Sequence, residues 1–176
     1  MTSSPDRNIA HFDAGELHRF TTLHEALPVL AELNLDAQPG SFADQVILPV
    51  VNSDISYDMT ITHVPASDAV YLGAQLGTVQ DLPEPLALDI LIENQFVNHA
   101  KLSINQQQGN DSYELVASTE IRTPFLTNEA LLDNIRSFDS AVTFEYTQIR
   151  ALATKHAVEI LGMPQYRNLG SQMELP

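Results

Sequence analysis

The chain has 176 residues, of which 44% are hydrophobic and 18% are charged, and it contains no cysteine. This length and composition suit one domain with a hydrophobic core, and they exclude a collagen-like, low-complexity or wholly disordered protein. The lack of cysteine excludes disulfides, thiolate metal sites and cysteine nucleophiles. No run of 18 apolar residues is present, so no membrane span is predicted, and we expect a cytoplasmic protein.

Acidic residues dominate the charge of the chain. It carries 23 Asp and Glu against 8 Lys and Arg, a net charge of −15. Between Phe20 and Ala100 there are eleven acids and no Lys or Arg. Nucleic acid is therefore not an expected partner, because binding to phosphates depends on basic side chains. Two interpretations of the acidic half remain: a solubilising surface, or a surface that selects basic partner segments.

The N-terminal third predicts an arm followed by a helix. Residues 1–19 are polar and lack periodicity, which predicts a flexible arm. Residues 22–34 place leucines on one helical face, and Thr22 and Glu25 match a capping box. Pro28 would kink a helix that begins at Thr22 or would lie in the first turn of a later one, so the start of this helix stays open.

Three strand patterns follow the Pro39-Gly40 break and predict an antiparallel meander. Tyr57 falls in the alternating row of the second strand, and Tyr71 falls in an alternating row of the third. The turn chemistry of residues 65–68 predicts a hairpin between these two strands. The predicted strands cover residues 42–51, 55–64 and 69–79.

A central helix is predicted after Asp81, because the acids and prolines of residues 81–85 are typical of a helix entrance. Leu88, Leu91 and Ile92 then repeat at helical spacing. Two further strands, residues 101–106 and 113–121, are separated by a turn at residues 109–111.

The longest helical pattern begins after Thr127 and continues to Ile160, where Gly162 and Pro164 are expected to end it. An unbroken helix of this length would measure about 50 Å. We expect it to bend near residues 137–140 or to pack on another chain, because one small sheet seldom buries so long a stripe. The predicted domain therefore covers residues 20–162, and residues 163–176 form a C-terminal tail.

The predicted order is α-β-β-β-α-β-β-α. No βαβ repeat is evident, so the fold class is α+β with an antiparallel sheet.

Four segments carry a resemblance to a known family. They are the Asn-rich end of the central helix at residues 92–98, the strand at 101–104, the strand at 113–118 and the helix entrance at 123–131. In order and spacing they resemble the YbjN family, whose fold is similar to that of the type III secretion chaperones. The resemblance implies a small α+β dimer that binds protein segments, without catalytic residues and without a cofactor.

Seven residues are candidates for partner binding. Asn94 and Asn98 lie one helical turn apart, and their amides either hold the helix end to the next strand or hold a bound peptide backbone. Three acids, Asp54, Asp58 and Asp68, flank the hairpin at residues 55–64, where a partner strand could lie. Two tyrosines, Tyr57 and Tyr71, belong to the alternating rows that a partner would contact. No catalytic, cofactor-binding or metal-binding residue is predicted.

The sequence favours a non-enzymatic module that binds protein or peptide, chaperone-like or regulatory, which works as a homodimer and selects basic partners. The alternative is a protein that binds a small apolar ligand in a cavity between a curved sheet and the C-terminal helix. A filled core with an exposed apolar surface would favour the first function, and a large closed cavity would favour the second.

Overall fold

The structure is a computed structural model of the 176-residue chain. It describes Leu23, Leu30 and residues 36–42, 44–52, 55–94, 100–107, 109, 111–122 and 126–166. The predicted arm and most of the predicted helix at residues 22–34 lie outside the described residues. Leu23 and Leu30 are both buried in the hydrophobic core.

An antiparallel sheet and two helices make up the described part of the chain. The strands are β1 (Gln38–Pro39), β2 (Gln45–Val51), β3 (Ile55–Val64), β4 (Ala69–Gln80), β5 (Lys101–Gln106), β6 (Ser112–Arg122) and β7 (Gln165–Tyr166). The helices are α1 (Glu84–Glu93) and α2 (Asn128–His156), and a 3-10 turn at Pro65–Ser67 joins β3 to β4. Neither helix combines the length and apolar character that a membrane span needs within the described residues.

The strand order in the sheet is β1-β2-β3-β4-β6-β5, with every pair antiparallel. The predicted α+β class is confirmed, and the elements from β2 to α2 follow the predicted order. The very short strands β1 and β7 were not predicted, because two residues carry no periodicity.

Strand register gives the sheet two different faces. Residues that lie directly opposite in antiparallel strands share a face, and the pairs Leu48–Met59 and Ile61–Leu72 place buried side chains together. We call this the core face. Its buried positions continue through Ala74, Ala117 and Leu102. The alternate residues form the opposite side, which we call the open face.

The core face is covered by α2. The helix begins at the N-cap Thr127, whose hydroxyl accepts a hydrogen bond from the Ala130 N–H at 3.0 Å. It runs without interruption for 29 residues, about 43 Å at 1.5 Å per residue. Its buried stripe lies against β4 and β6 of its own chain. The stripe consists of Leu131, Ile135, Phe138, Val142, Glu145, Tyr146, Ile149 and Ala153.

The stripe of α2 therefore packs on its own chain instead of on another one, and the helix has no break near residues 137–140. The helix also ends earlier than the apolar pattern predicts, because Ala157 takes a left-handed conformation with φ 53°. The apolar residues beyond it still pack on the core but are not helical; they are Val158, Ile160 and Met163.

The segment after α2 pairs with the part of β4 that β3 leaves unpaired. A register shift between Gln75 and Gly77 marks the part of β4 that no longer pairs with β3. Leu161 and Thr78 exchange two backbone hydrogen bonds of 2.8 Å there, and β7 pairs with the first residues of β3. From the buried stripe of α2, the Tyr146 hydroxyl donates a hydrogen bond to the Pro164 carbonyl at 2.7 Å. Gln165 and Tyr166, in the segment that the sequence assigned to the tail, thus pair with β3, and residues 167–176 lie outside the described residues.

Gly77 is the residue that allows this segment to approach. Its φ is +141°, and a Cβ atom there would collide with the Ile160 side chain and lie 3.0 Å from the Leu161 carbonyl oxygen. Gly109 also has a positive φ, of +83°, but a Cβ on it would meet no atom within 4 Å.

We predict that Gly77→Ala lowers the free energy of unfolding by about 2–4 kcal/mol, because it adds overpacking to backbone strain. The matched control Gly109→Ala adds strain alone and should cost about 1 kcal/mol. Urea unfolding followed by circular dichroism measures both. Equal losses in the two variants would mean that the segment after α2 does not pack on Gly77.

Candidate binding surfaces

The open face of the sheet carries mostly polar side chains along its central strands. Neither described helix covers it, because both bury their apolar residues on the other side. Its central side chains are short and polar: Thr60, Thr62 and Ser118, with the Thr60 hydroxyl donating to the Gly73 carbonyl at 3.1 Å. Glycine at position 73 leaves a shallow place beside Thr60, since a Cβ there would lie 2.9 Å from the Thr60 hydroxyl oxygen.

Three predicted partner-binding residues lie on or beside the open face. Asp58 is exposed on β3 and faces Pro49 of β2. Tyr71 lies on β4 between Thr62 and Glu120, and it is half-buried. Asp68 is exposed in the turn before β4, where it takes a left-handed conformation with φ 51°. The structure thus places Asp58 and Tyr71 on the open face and Asp68 in the turn that joins β3 to β4.

Tyr57 instead points to the core face. Its hydroxyl donates to Asp139 Oδ1 of α2 at 3.0 Å. Burial, followed by the charge of Asp139, raises the pKa of the Tyr57 hydroxyl far above its usual value. Asn52 joins the same carboxylate oxygen through Nδ2 at 2.9 Å and also donates to the Thr143 hydroxyl at 3.0 Å. These bonds tie the start of β3 to the middle of α2, and they hold Tyr57 on the core face, away from the open face.

The amide of Asn94 is occupied by the backbone of β5. Asn94 Nδ2 donates to the Leu102 carbonyl at 2.7 Å, and the Leu102 N–H donates to Asn94 Oδ1 at 2.6 Å. The side chain thereby takes the place of a neighbouring strand at the free edge of the sheet. Of the two roles left open by the sequence, these contacts are those of a tie between helix end and strand. Asn98 and Asp54 lie outside the described residues.

The outer face of α1 is apolar and exposed, which the sequence did not predict. Leu86 and Ile90 form the buried inner face of this helix. Leu88, Leu91 and Ile92 lie opposite them and are 52%, 56% and 50% exposed. Because both faces are apolar, helical spacing alone could not tell which one packs inward.

One carboxylate fastens α1 to the end of α2. Asp89 Oδ2 lies 2.6 Å from Lys155 Nζ and 2.7 Å from His156 Nε2. Hydrogen bonds from Lys155 and then from His156 hold the pKa of Asp89 below its usual value. Within the described residues, no three His, Asp or Glu side chains come together as a metal site.

This arrangement of sheet and helices matches a solved structure. The crystal structure of YbjN from E. coli, a candidate transcription regulator, superposes with a TM-score of 0.64 and 19% sequence identity. The match covers 85% of this chain and 100% of that one. The chain has a YbjN-like fold.

At 19% identity this YbjN likeness establishes the architecture alone. No family model matches the sequence. No curated protein matches it either. The resemblance read from residues 92–131 is confirmed at the level of fold.

We predict that Asn94→Ala lowers the free energy of unfolding by about 1–3 kcal/mol, because it removes two hydrogen bonds and leaves the Leu102 peptide groups unpaired. Asn94→Asp keeps the acceptor but loses the donor, so its free energy of unfolding should lie between those of the wild type and Asn94→Ala. The control Asn105→Ala changes an exposed residue of β5 and should cost less than about 0.5 kcal/mol. Thermal unfolding checks the series. If Asn94→Ala behaves like Asn105→Ala, the amide of Asn94 does not stabilise this edge.

Proposed function

We propose that the chain is a non-enzymatic module, chaperone-like or regulatory, that binds a basic segment of another protein on the open face of the sheet. The observation that carries the proposal is an antiparallel sheet with one face left uncovered by the described helices. A broad exposed sheet offers a partner contacts along several strands at once. The proposal places the protein in the cytoplasm, which its lack of cysteine fits.

Charge selects the partner in this proposal. Asp58 is exposed on the open face with Tyr71, Asp68 is exposed in the adjoining turn, and the sequence from Phe20 to Ala100 contains no Lys or Arg. Among the described residues, two bases lie on the open face: Arg122, which is paired with Glu120 at 2.9 Å, and Lys101, an exposed residue of β5 opposite Ser118. An acidic surface attracts basic segments and repels acidic ones, and this effect acts mainly on the association rate.

The alternative, a small apolar ligand between sheet and helix, has less support. The side chains that face one another across this layer are large and close to fully buried. They include Met59, Ile61 and Leu72 from the sheet and Phe138 from α2. Side chains packed at the density of a protein interior occupy the place that the ligand would need.

Binding should weaken when the open face loses its acids. The probe is an amphipathic peptide of Leu and Lys, about 14 residues long, and the same peptide with Glu in place of Lys is the negative control. We expect Asp58→Asn with Asp68→Asn to lower the association rate several-fold and to change the dissociation rate little. Raising the salt should have the same effect, because the Debye length falls from about 8 Å to about 3 Å at 1 M.

The matched control replaces two other exposed acids, Asp111 and Glu159, which lie outside the strands and helices. Surface plasmon resonance measures both rates. Equal association rates for the two double variants would remove the open face from the proposal.

We also propose that the chain forms a homodimer through the outer face of α1. The stripe of α2 that first suggested a dimer is buried in its own chain, so it cannot be the interface. Leu88, Leu91 and Ile92 remain as three large aliphatic side chains, each half exposed, on a single helix face. A second copy can cover them by placing the same face against itself about a two-fold axis.

Sedimentation equilibrium at micromolar concentration should give about twice the 19.4 kDa mass of the chain. We expect Leu88→Lys with Leu91→Lys to give a folded monomer, because the charges would be buried at the interface. Phe42→Lys changes an exposed apolar residue elsewhere and should leave the dimer intact. A wild-type protein that is monomeric at this concentration would refute the dimer while leaving the open face untouched.

A further inference from the structure

Glu145 is a carboxyl group placed in the hydrophobic stripe of α2. It lies between Val142 and Ile149, and its residue is 0% exposed. Neither carboxyl oxygen has a hydrogen-bond partner in the described part of the chain. Burying an ionised carboxylate without a partner is strongly unfavourable, so such a group is protonated or its surroundings move.

The element packed over this part of α2 brings a second acid instead of a base. Glu93, in the last turn of α1, is the charged group that acts most strongly on Glu145. Asp89, one turn earlier on α1, is held by Lys155 and His156. On α2 itself, Arg150 lies over the Tyr146 ring, 5.9 Å from its centroid.

The sheet adds little charge to this environment. Among the core-face positions of β4 and β6, on which α2 packs, Tyr113 is the one titratable side chain of the described residues. Burial, followed by the charge of Glu93, therefore raises the pKa of Glu145 to about 7. Ionisation of Glu145 places two like charges at the junction of the two helices, one of them in the core.

The contacts that hold α1 in place would allow it to move when Glu145 ionises. Asn94 fastens the end of the helix to β5 through two short hydrogen bonds. Asp89 ties the helix to α2 through Lys155, whose side chain is 62% exposed so that this ion pair contributes about 0–1 kcal/mol, and through His156, whose side chain is 17% exposed. The remaining attachment is the burial of Leu86 and Ile90.

We propose that α1 is a pH-sensitive flap, which packs on α2 while Glu145 is protonated and swings away from α2 about Asn94 when Glu145 ionises. The movement uncovers Leu86 and Ile90 and displaces the outer face of the helix. The flap concerns the junction inside one chain, and it stands whether or not the dimer or the open-face binding exists.

The direction of the effect follows from proton linkage. The packed state binds the proton of Glu145 more tightly than the open state, in which the carboxyl group meets water and has its ordinary pKa of 4.5. Opening therefore becomes more favourable as the pH rises between about 4.5 and about 7, by up to about tenfold per pH unit, and then levels off. Below about pH 4.5 the packed state has its full stability.

Hydrogen exchange of backbone amides, corrected for the intrinsic rate at each pH, tests this directly on the full chain. We expect the protection of residues 86–93 to fall by about tenfold or more from pH 5 to pH 7.5, while the middle of α2 keeps its protection. Glu145→Gln cannot ionise, so the pH dependence of its α1 protection should be much smaller than that of the wild type. Glu145→Leu serves as a second variant if the buried amide of Gln destabilises the fold.

A third variant separates the flap from a general loss of stability. Glu93→Gln removes the neighbouring charge, which should move the midpoint of the transition to lower pH while the transition itself persists. Loss of protection in all elements together, or a pH dependence in both Glu145 variants as large as that of the wild type, would overturn the proposal. A wild-type α1 whose protection is independent of pH would overturn it as well.

Discussion

The burial of the α2 stripe against one face of the sheet is the interaction on which the rest of the structure depends. Burying apolar surface stabilises a protein by roughly 25 cal/mol per Å², and α2 supplies residues from Leu131 to Ala153 to this layer. Because one helix layer covers one face, the two-layer packing leaves the other face of the sheet uncovered by it. The open face is thus a consequence of how the core is built.

Polar ties fix the geometry that hydrophobic burial leaves unspecified. Asp139 of α2 accepts hydrogen bonds from Asn52 and Tyr57, which fixes the position of the start of β3 relative to the helix. Asn94 hydrogen-bonds the free edge of β5 at Leu102, and Tyr146 hydrogen-bonds the segment after α2 at Pro164. The ties through Asp139 join residues 82 and 87 positions apart, so the strand that carries Asp58 is fixed against α2.

Much of this fold follows from local patterns in the sequence. The strands β2 to β6 and the start of α2 were predicted because alternation and helix capping are properties of neighbouring residues. The role of Tyr57 could have been predicted as well, since it shares its alternating row with Ile55, Met59 and Ile61. Asp139, its partner 82 residues away, could not.

Other features depend on tertiary context. Both faces of α1 are apolar, so the exposure of Leu88 and Leu91 follows only from where the helix packs. Ala157 ends α2 in a left-handed conformation that alanine does not favour, and no local signal marks it. A glutamate is expected on the surface, yet Glu145 is buried in the core. The backbone pairing of Leu161 with Thr78 joins residues far apart in the chain, so the spacing of residues in the sequence does not predict it.

The central claim, that the open face binds a basic segment, is tested most directly by fluorine NMR with fluorotyrosine in place of the five tyrosines. Tyr71 lies on the open face, whereas Tyr57 and Tyr146 are buried on the other side. Titration with the Leu–Lys peptide should shift and broaden the Tyr71 resonance and leave those of Tyr57 and Tyr146 in place. A Tyr71 resonance that does not change while the peptide saturates the protein would contradict the account.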